Sequence, residues 1–263
     1  MRRRGSVSPA LWIPAGLALA LLGLPLVALV VRAPWGQLPE LLSRSAVAQA
    51  LGLSLGTALA STALCLLLGI PLALVLAQAA DWPAIPRRLL RALVTVPLVL
   101  PPVVGGVALL LLLGRRGLIG QFLPFQIPFS TAAVVIAQVF VAMPFLVFAV
   151  EGALRASDRR FEVAAATLGA SRLTVFRRVT LPLVAPGVAA GALLCFTRSL
   201  GEFGATITFA GSFPGVTQTL PVATYLELQR DPNAAIALSL MLMVVSVAVL
   251  VGLRDRWVPG VTA

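Results

Sequence analysis

The chain has 263 residues, 59% of them hydrophobic and 11% charged, with a mean hydropathy of +1.02 and a net charge of +11. A soluble globular domain carries about a quarter charged residues, so this composition excludes one and makes a bilayer the natural solvent. All 20 basic residues are arginine and histidine is absent, which excludes histidine acid–base chemistry and leaves no lysine for a phosphate-binding loop.

The basic tail (1–10) carries Arg2, Arg3 and Arg4. The first apolar run, Leu11–Val31, is long enough to cross a core of ~30 Å. Leu29-Val30-Val31-Arg32 offers no small-residue cleavage site, so the run reads as a retained span. A polar link follows from Arg32 to Gln49, in which Trp35 suits the headgroup level. The second span, Leu51–Gln78, is rich in small residues, and Gly52-x-x-x-Gly56 matches a pattern for close helix packing. Arg87, Arg88 and Arg91 make the next link (81–91) basic. The third span, Ala92–Leu113, holds Pro97, Pro101, Pro102, Gly105 and Gly106, so its helix is expected to break. Such a break is either a packing kink or a pathway element, because irregular backbone at membrane depth must face protein or a water-filled cavity.

The link 114–129 carries only Arg115 and Arg116, and the fourth span (130–150) contains Gln138 and Pro144. A long polar loop then interrupts the apolar chain over residues 151–181. It carries six arginines: Arg155, Arg159, Arg160, Arg172, Arg177 and Arg178. Phe161, Ala164, Ala165 and Leu168 fall at i, i+3, i+4 and i+7, which gives one apolar helical stripe. Gly169 supplies a helix stop, and Ser171 can cap a second short helix ending before Pro182. The fifth span starts near Pro182 and runs past Gly204. A polar link (211–232) and a sixth span (234–253) precede the C-terminal tail (254–263). Cys65 and Cys195 both lie in apolar runs, which argues against a disulfide framework.

Six spans place the tail, the second link, the 151–181 loop and the C-terminus on one side. Those segments hold three, three, six and two arginines, fourteen in all, against five in the opposite links (Arg32, Arg44, Arg115, Arg116, Arg230). By the positive-inside rule the fourteen face the cytoplasm. The expected fold is an all-α membrane protein with six transmembrane helices, a cytoplasmic loop helix between the fourth and fifth, and both termini inside. The arginines signal topology and leave no case for nucleic-acid binding.

One segment of the fifth span breaks the apolar rule: Arg198, Ser199, Gly201, Glu202, Gly204 and Thr206. Arg198 and Glu202 stand at i, i+4 and can pair on one helix face. Charges at membrane depth are functional candidates. The pair reads as a gate or pathway lining, or as a structural ion pair between helices. Gly201 and Gly204 leave room for a neighbouring backbone or a helix break.

The 151–181 loop resembles the cytoplasmic loop of integral permeases of binding-protein-dependent ABC importers, E-A-A-x-x-x-G-x₉-I-x-L-P. Ala164, Ala165 and Gly169 match, and Val179, Leu181 and Pro182 follow at the family spacing. Val163 stands at the glutamate position, with Glu162 one residue earlier. Ser199 to Thr206, Pro214-Gly215, Thr217 to Pro221 and Tyr225 resemble the molybdate-type permeases, with the sulfate type close by. The resemblance implies a prokaryotic plasma-membrane permease that imports molybdate, or tungstate or sulfate. It implies a homodimer, two ATP-hydrolysing subunits and an external substrate-binding protein. Phe161, Glu162, Ala164, Ala165, Leu168, Gly169, Leu181 and Pro182 would couple to the ATPase. This chain would bind no cofactor, since ATP and Mg would sit on the partner. A gradient-driven anion transporter is the competing class.

Overall fold

The computed structural model describes residues 11–158 and 160–257, the last five by their backbone alone. The tail 1–10, Arg159 and residues 258–263 lie outside the described residues. The described chain is built of helices, as an apolar solvent requires: a helix satisfies its own backbone donors and acceptors. Five helices are long and apolar enough to cross a membrane, and a bent pair makes a sixth when its two halves are counted as one broken span.

Helix α1 (Trp12–Val31) leans on the last helix and otherwise exposes leucines to the surroundings. Trp35 Nε1 donates to the Val30 carbonyl at 3.1 Å, satisfying one of the orphan acceptors at the end of α1. The polar link is partly helical. It forms α2 (Leu38–Ser43), and α3 (Ser45–Gln78) begins before the expected Leu51. The reason is burial: Val47 and Ala50 pack against Leu220, Ala223 and Leu238, so the helix is extended by tertiary contact.

At 34 residues α3 is about 51 Å long and outruns the hydrocarbon core. Its packing stripe is Ser54, Thr57, Ala58, Ser61, Cys65, Gly69 and Ala73, all buried. The expected Gly52/Gly56 seam is not the packing face. Both glycines are exposed and a Cβ on either would meet nothing within 4 Å. The two patterns are offset by two residues, which places them on nearly opposite sides of a helix. The stripe faces α6 (Thr131–Ala156) and α9 (Leu181–Leu200), and these three helices form the centre of the bundle.

The third crossing is broken as expected, but its first half starts early. Helix α4 (Ala84–Val99) and helix α5 (Pro102–Leu113) meet at 116°. Leu100 is extended (φ −64°, ψ 135°), the conformation forced on a residue before proline, and Pro102 sits in the first turn of α5, where its missing N–H does no harm. The pair climbs α6 from end to start. Arg91 pairs with Glu151, and Val94 shares a core with Val147 and Val150. Gly105 then faces Phe140, and Leu109 joins Val134 and Ala137.

Helix α5 lies against the short helix α10 (Gly204–Phe209), and glycines make the approach possible. A Cβ on Gly106 would overlap the Thr208 hydroxyl and reach the Ala205 carbonyl oxygen at 2.8 Å; one on Gly204 would meet Pro102 Cβ at 2.9 Å. Gly106→Ala is therefore expected to destabilise the protein by about 1–3 kcal/mol through overpacking, read as a lowered Tm in detergent. Gly56→Ala, at an open helical position, is expected to leave Tm unchanged or raise it slightly. Helix α11 (Leu220–Leu228) and helix α12 (Pro232–Trp257) close the fold, α12 passing beside α9.

Candidate coupling surface and intramembrane charge pair

The loop after α6 folds into α7 (Arg160–Thr167), a turn, and α8 (Arg172–Val175). Gly169 has φ +83°, a left-handed backbone that glycine adopts without a Cβ penalty, and it ends α7. Ser171 caps α8 by accepting from the Thr174 N–H at 3.3 Å. The second helix does not stop before Pro182. It passes through a π-helical turn at Phe176–Thr180 directly into α9. Leu181 N–H donates to the Phe176 carbonyl, five residues back. In an α-helical register Pro182 would clash with the Arg178 carbonyl and leave it unbonded; the wider turn accommodates the ring. The second loop helix and the fifth span are thus one continuous rod from Arg172 to Leu200.

The apolar stripe of α7 points outward. Phe161 is 57% exposed and Leu168 is 88% exposed, with Ala164 and Val163 exposed beside them. The inner face is Glu162 and Ala165, both half-buried. Glu162 accepts from the Thr180 hydroxyl at 2.6 Å, tying α7 to the π turn. Its carboxylate therefore points into the body of the protein. Leu181 is half-buried and Pro182 exposed at the start of α9. Behind α7 lies an open crevice of about 790 Å³, lined by Leu74, Gln78, Leu154, Glu162, Val163 and Phe176. It separates α7 from the ends of α3 and α6.

Glu151, at the inner end of α6, went unremarked in the sequence. It is 4% exposed and takes two arginines, Arg91 from α4 and Arg155 at 2.7 Å from its own helix. Its i, i+4 spacing to Arg155 is the signal that would have found it. The cross-helix partner is visible only in the fold.

The charge pair sits where α9 ends. Arg198 Nη1 lies 2.7 Å from Glu202 Oε2, and the other carboxylate oxygen accepts from the Ala205 N–H at 2.8 Å. Oε2 makes the ionic contact without hydrogen-bond geometry. Glu202 is 1% exposed, whereas the Arg198 side chain keeps 27% of its surface open. One carboxylate thus anchors the arginine and satisfies an orphan donor of α10. The fifth span does not run past Gly204. It stops at Leu200, turns through Gly201 to Phe203, and restarts as α10. A Cβ on Gly201 would meet only the Thr197 carbonyl, at 3.6 Å, so its role is in the turn, while Gly204 provides the close approach to α5.

Ser199 is fully buried and its hydroxyl lies 2.7 Å from that of Ser61 on α3. Thr206 is fully buried, and its hydroxyl has no hydrogen-bond partner among the described residues. Gln138 donates to Thr57 Oγ1 at 3.1 Å, and Ser54 accepts from the Leu220 N–H at 2.7 Å. The sequence flagged Arg198, Ser199, Glu202 and Thr206. It did not reveal that Ser61 of α3 meets Ser199, nor that Gln138 of α6 meets Thr57 and Ser54 the Leu220 backbone in the same apolar bundle.

The pattern of the family described as "Binding-protein-dependent transport system inner membrane component" matches residues 69–259. The molybdenum transport system permease protein ModB of Mycobacterium tuberculosis is 52% identical over 248 residues, covering 93% of each chain. The protein of the same description from Escherichia coli K12 is 41% identical over 180 residues, 67% of this chain and 79% of that one. Among solved structures, a bacterial ABC transporter that imports the acidic polysaccharide alginate aligns with a TM-score of 0.71 at 16% identity, covering 97% of this chain and 95% of that one; this likeness concerns the fold alone. The helical membrane architecture, the loop between α6 and α9 and these similarities agree: the chain belongs to the family of binding-protein-dependent transport system inner membrane components.

Proposed function

We propose that this chain is the membrane-spanning permease subunit of an ATP-driven importer of molybdate, working as a homodimer in a prokaryotic plasma membrane. Two ATPase subunits engage the loop between α6 and α9 on the cytoplasmic side, and an external binding protein delivers the oxyanion to the opposite face. Both termini are cytoplasmic, in keeping with fourteen arginines on that side against five on the other. Molybdate is favoured by the relatives at 52% and 41% identity, both molybdenum transport system permease proteins.

The observation that supports the reading is the outward apolar face of α7, tied by the Glu162–Thr180 hydrogen bond to the rod that ends at the Arg198–Glu202 pair. Phe161, Ala164 and Leu168 form the docking face. Glu162 and Ala165 hold α7 to the body, Gly169 sets its turn, and Leu181 and Pro182 join it to α9. ATP and Mg are held by the partner, whose closure pulls on α7 and through it on α9. Arg198 attracts the dianion, Glu202 holds the guanidinium in place between passages, and Ser199, Gly201, Gly204 and Thr206 shape the broken segment beside it. Each nucleotide or ligand acts by binding one state better than the other.

The test is radiolabelled molybdate uptake in proteoliposomes holding the chain with its ATPase, with the binding protein and ATP supplied on the appropriate sides. Uptake is expected to fall to background when the ATPase is omitted, and to resist an uncoupler. Uptake by the chain alone, abolished by the uncoupler, would establish the gradient-driven class instead. Competition by sulfate or tungstate at equal concentration ranks the three oxyanions.

A further inference from the structure

Helix α4 has three faces rather than two. Leu90 and Val94 turn inward onto the core around Leu146 and Val150. Arg87, Arg88, Arg91 and Thr95 form a second, polar face. Ile85, Leu89, Leu93 and Val96, spaced four, four and three, form a third, and it is bare: Ile85, Leu89 and Leu93 are 71%, 65% and 73% exposed. Trp82, also exposed, stands just before the helix. A helix spanning the hydrocarbon would not place three arginines in its first two turns, because each is costly at depth. An apolar face, a basic face and a flanking tryptophan are the marks of a helix lying in the membrane interface. The 116° bend at Leu100–Pro101 gives α4 that freedom, since it need not continue the line of α5. Arg91 also fixes its level. It is bound to Glu151 at the end of α6 that leads directly into α7, so α4 lies on the coupling-loop side.

We propose that α4 is an interfacial helix that binds anionic phospholipid in the leaflet beside the coupling loop. Ile85, Leu89 and Leu93 enter the acyl region, and Arg87 and Arg88 engage headgroup phosphates. Arg87 already donates to the Ala80 carbonyl at 3.0 Å, which holds its guanidinium near the helix start. Among the described residues Arg88 has no carboxylate partner, and a phosphate supplies one. Charge complementarity selects the occupant: a second protein copy would bring its own arginine-rich face to the same level. The lipid-held helix then gives Glu151, and through it α6, a fixed point against which α7 can move.

The test uses the full chain in nanodiscs of phosphatidylcholine mixed with phosphatidylglycerol, with nitroxide labels at Leu89→Cys and Arg88→Cys. The Leu89 label is expected to relax with oxygen, and the Arg88 label with an aqueous nickel chelate. A Leu89 label reached by nickel would show an aqueous face, and one shielded from both reagents would show a protein cover; either overturns the proposal. In the lipids that co-purify, Arg87→Gln with Arg88→Gln is expected to lower phosphatidylglycerol enrichment at least fivefold, at about fivefold per arginine. Arg115→Gln with Arg116→Gln, on the opposite side, is expected to leave enrichment unchanged. Unchanged enrichment in the first pair, or an equal loss in both, would overturn the headgroup assignment.

Discussion

Leu168→Arg is expected to lower ATP-driven molybdate uptake about 100-fold or more, with membrane insertion and yield unchanged. Leu168 is 88% exposed in the last turn before Gly169, so replacing it disturbs nothing inside the chain. The effect arises only when a partner covers the site. An arginine there must then be desolvated without a counter-charge, at a cost of about 3 kcal/mol or more. Co-purification of the ATPase with the variant measures the docking step directly and is expected to fail in parallel with uptake. Wild-type uptake in the variant would remove α7 from the coupling interface. Substituting the inward-facing Glu162 would be a poorer test, since it releases the 2.6 Å hydrogen bond to Thr180 and confuses docking with the posture of the loop.

The second large effect is expected at the charge pair. Arg198→Leu leaves Glu202, 1% exposed, without its ionic partner, and breaking a buried pair from one side costs about 3 kcal/mol. The variant should show a clearly lowered Tm and lose uptake. Adding Glu202→Gln removes the stranded charge yet keeps an oxygen to accept from the Ala205 N–H, so the cap on α10 survives. The double variant is therefore expected to regain most of the lost Tm. Uptake separates the two roles of Arg198. If the arginine attracts the dianion, the double variant stays inactive despite its recovered stability. If it transports at the wild-type rate, the pair only holds α9 against α10. Thermal denaturation and uptake on the same preparations decide between them.

Much of this architecture was legible in the chain. Length of apolar runs gave the spans, because a bilayer admits only long apolar segments as crossings. Pro97, Pro101 and Pro102 announced the break between α4 and α5. The Ala164-Ala165, Gly169 and Leu181-Pro182 spacing located the loop helix. Three local features differ between pattern and fold, because a linear pattern does not say what an element packs against. Gly52 and Gly56 look like a packing seam, yet α3 buries the opposite face, because α6 and α9 lie on that side. Pro182 looks like a terminator, yet a π turn carries the helix through it. The run past Gly204 looks like one span, yet the chain breaks at Gly201, and Gly204 then lets α10 meet α5.

The sequence by itself determined the solvent, the apolar runs and the charge asymmetry, since these depend on composition along the chain and on nothing distant from it. Only the tertiary structure decided which polar groups meet. Arg91 reaches Glu151 across 60 residues, Ser61 reaches Ser199 across 138, and Ser54 reaches the Leu220 backbone across 166. A buried polar atom needs a partner wherever the fold provides one, and that requirement carries no spacing rule that a linear pattern could show.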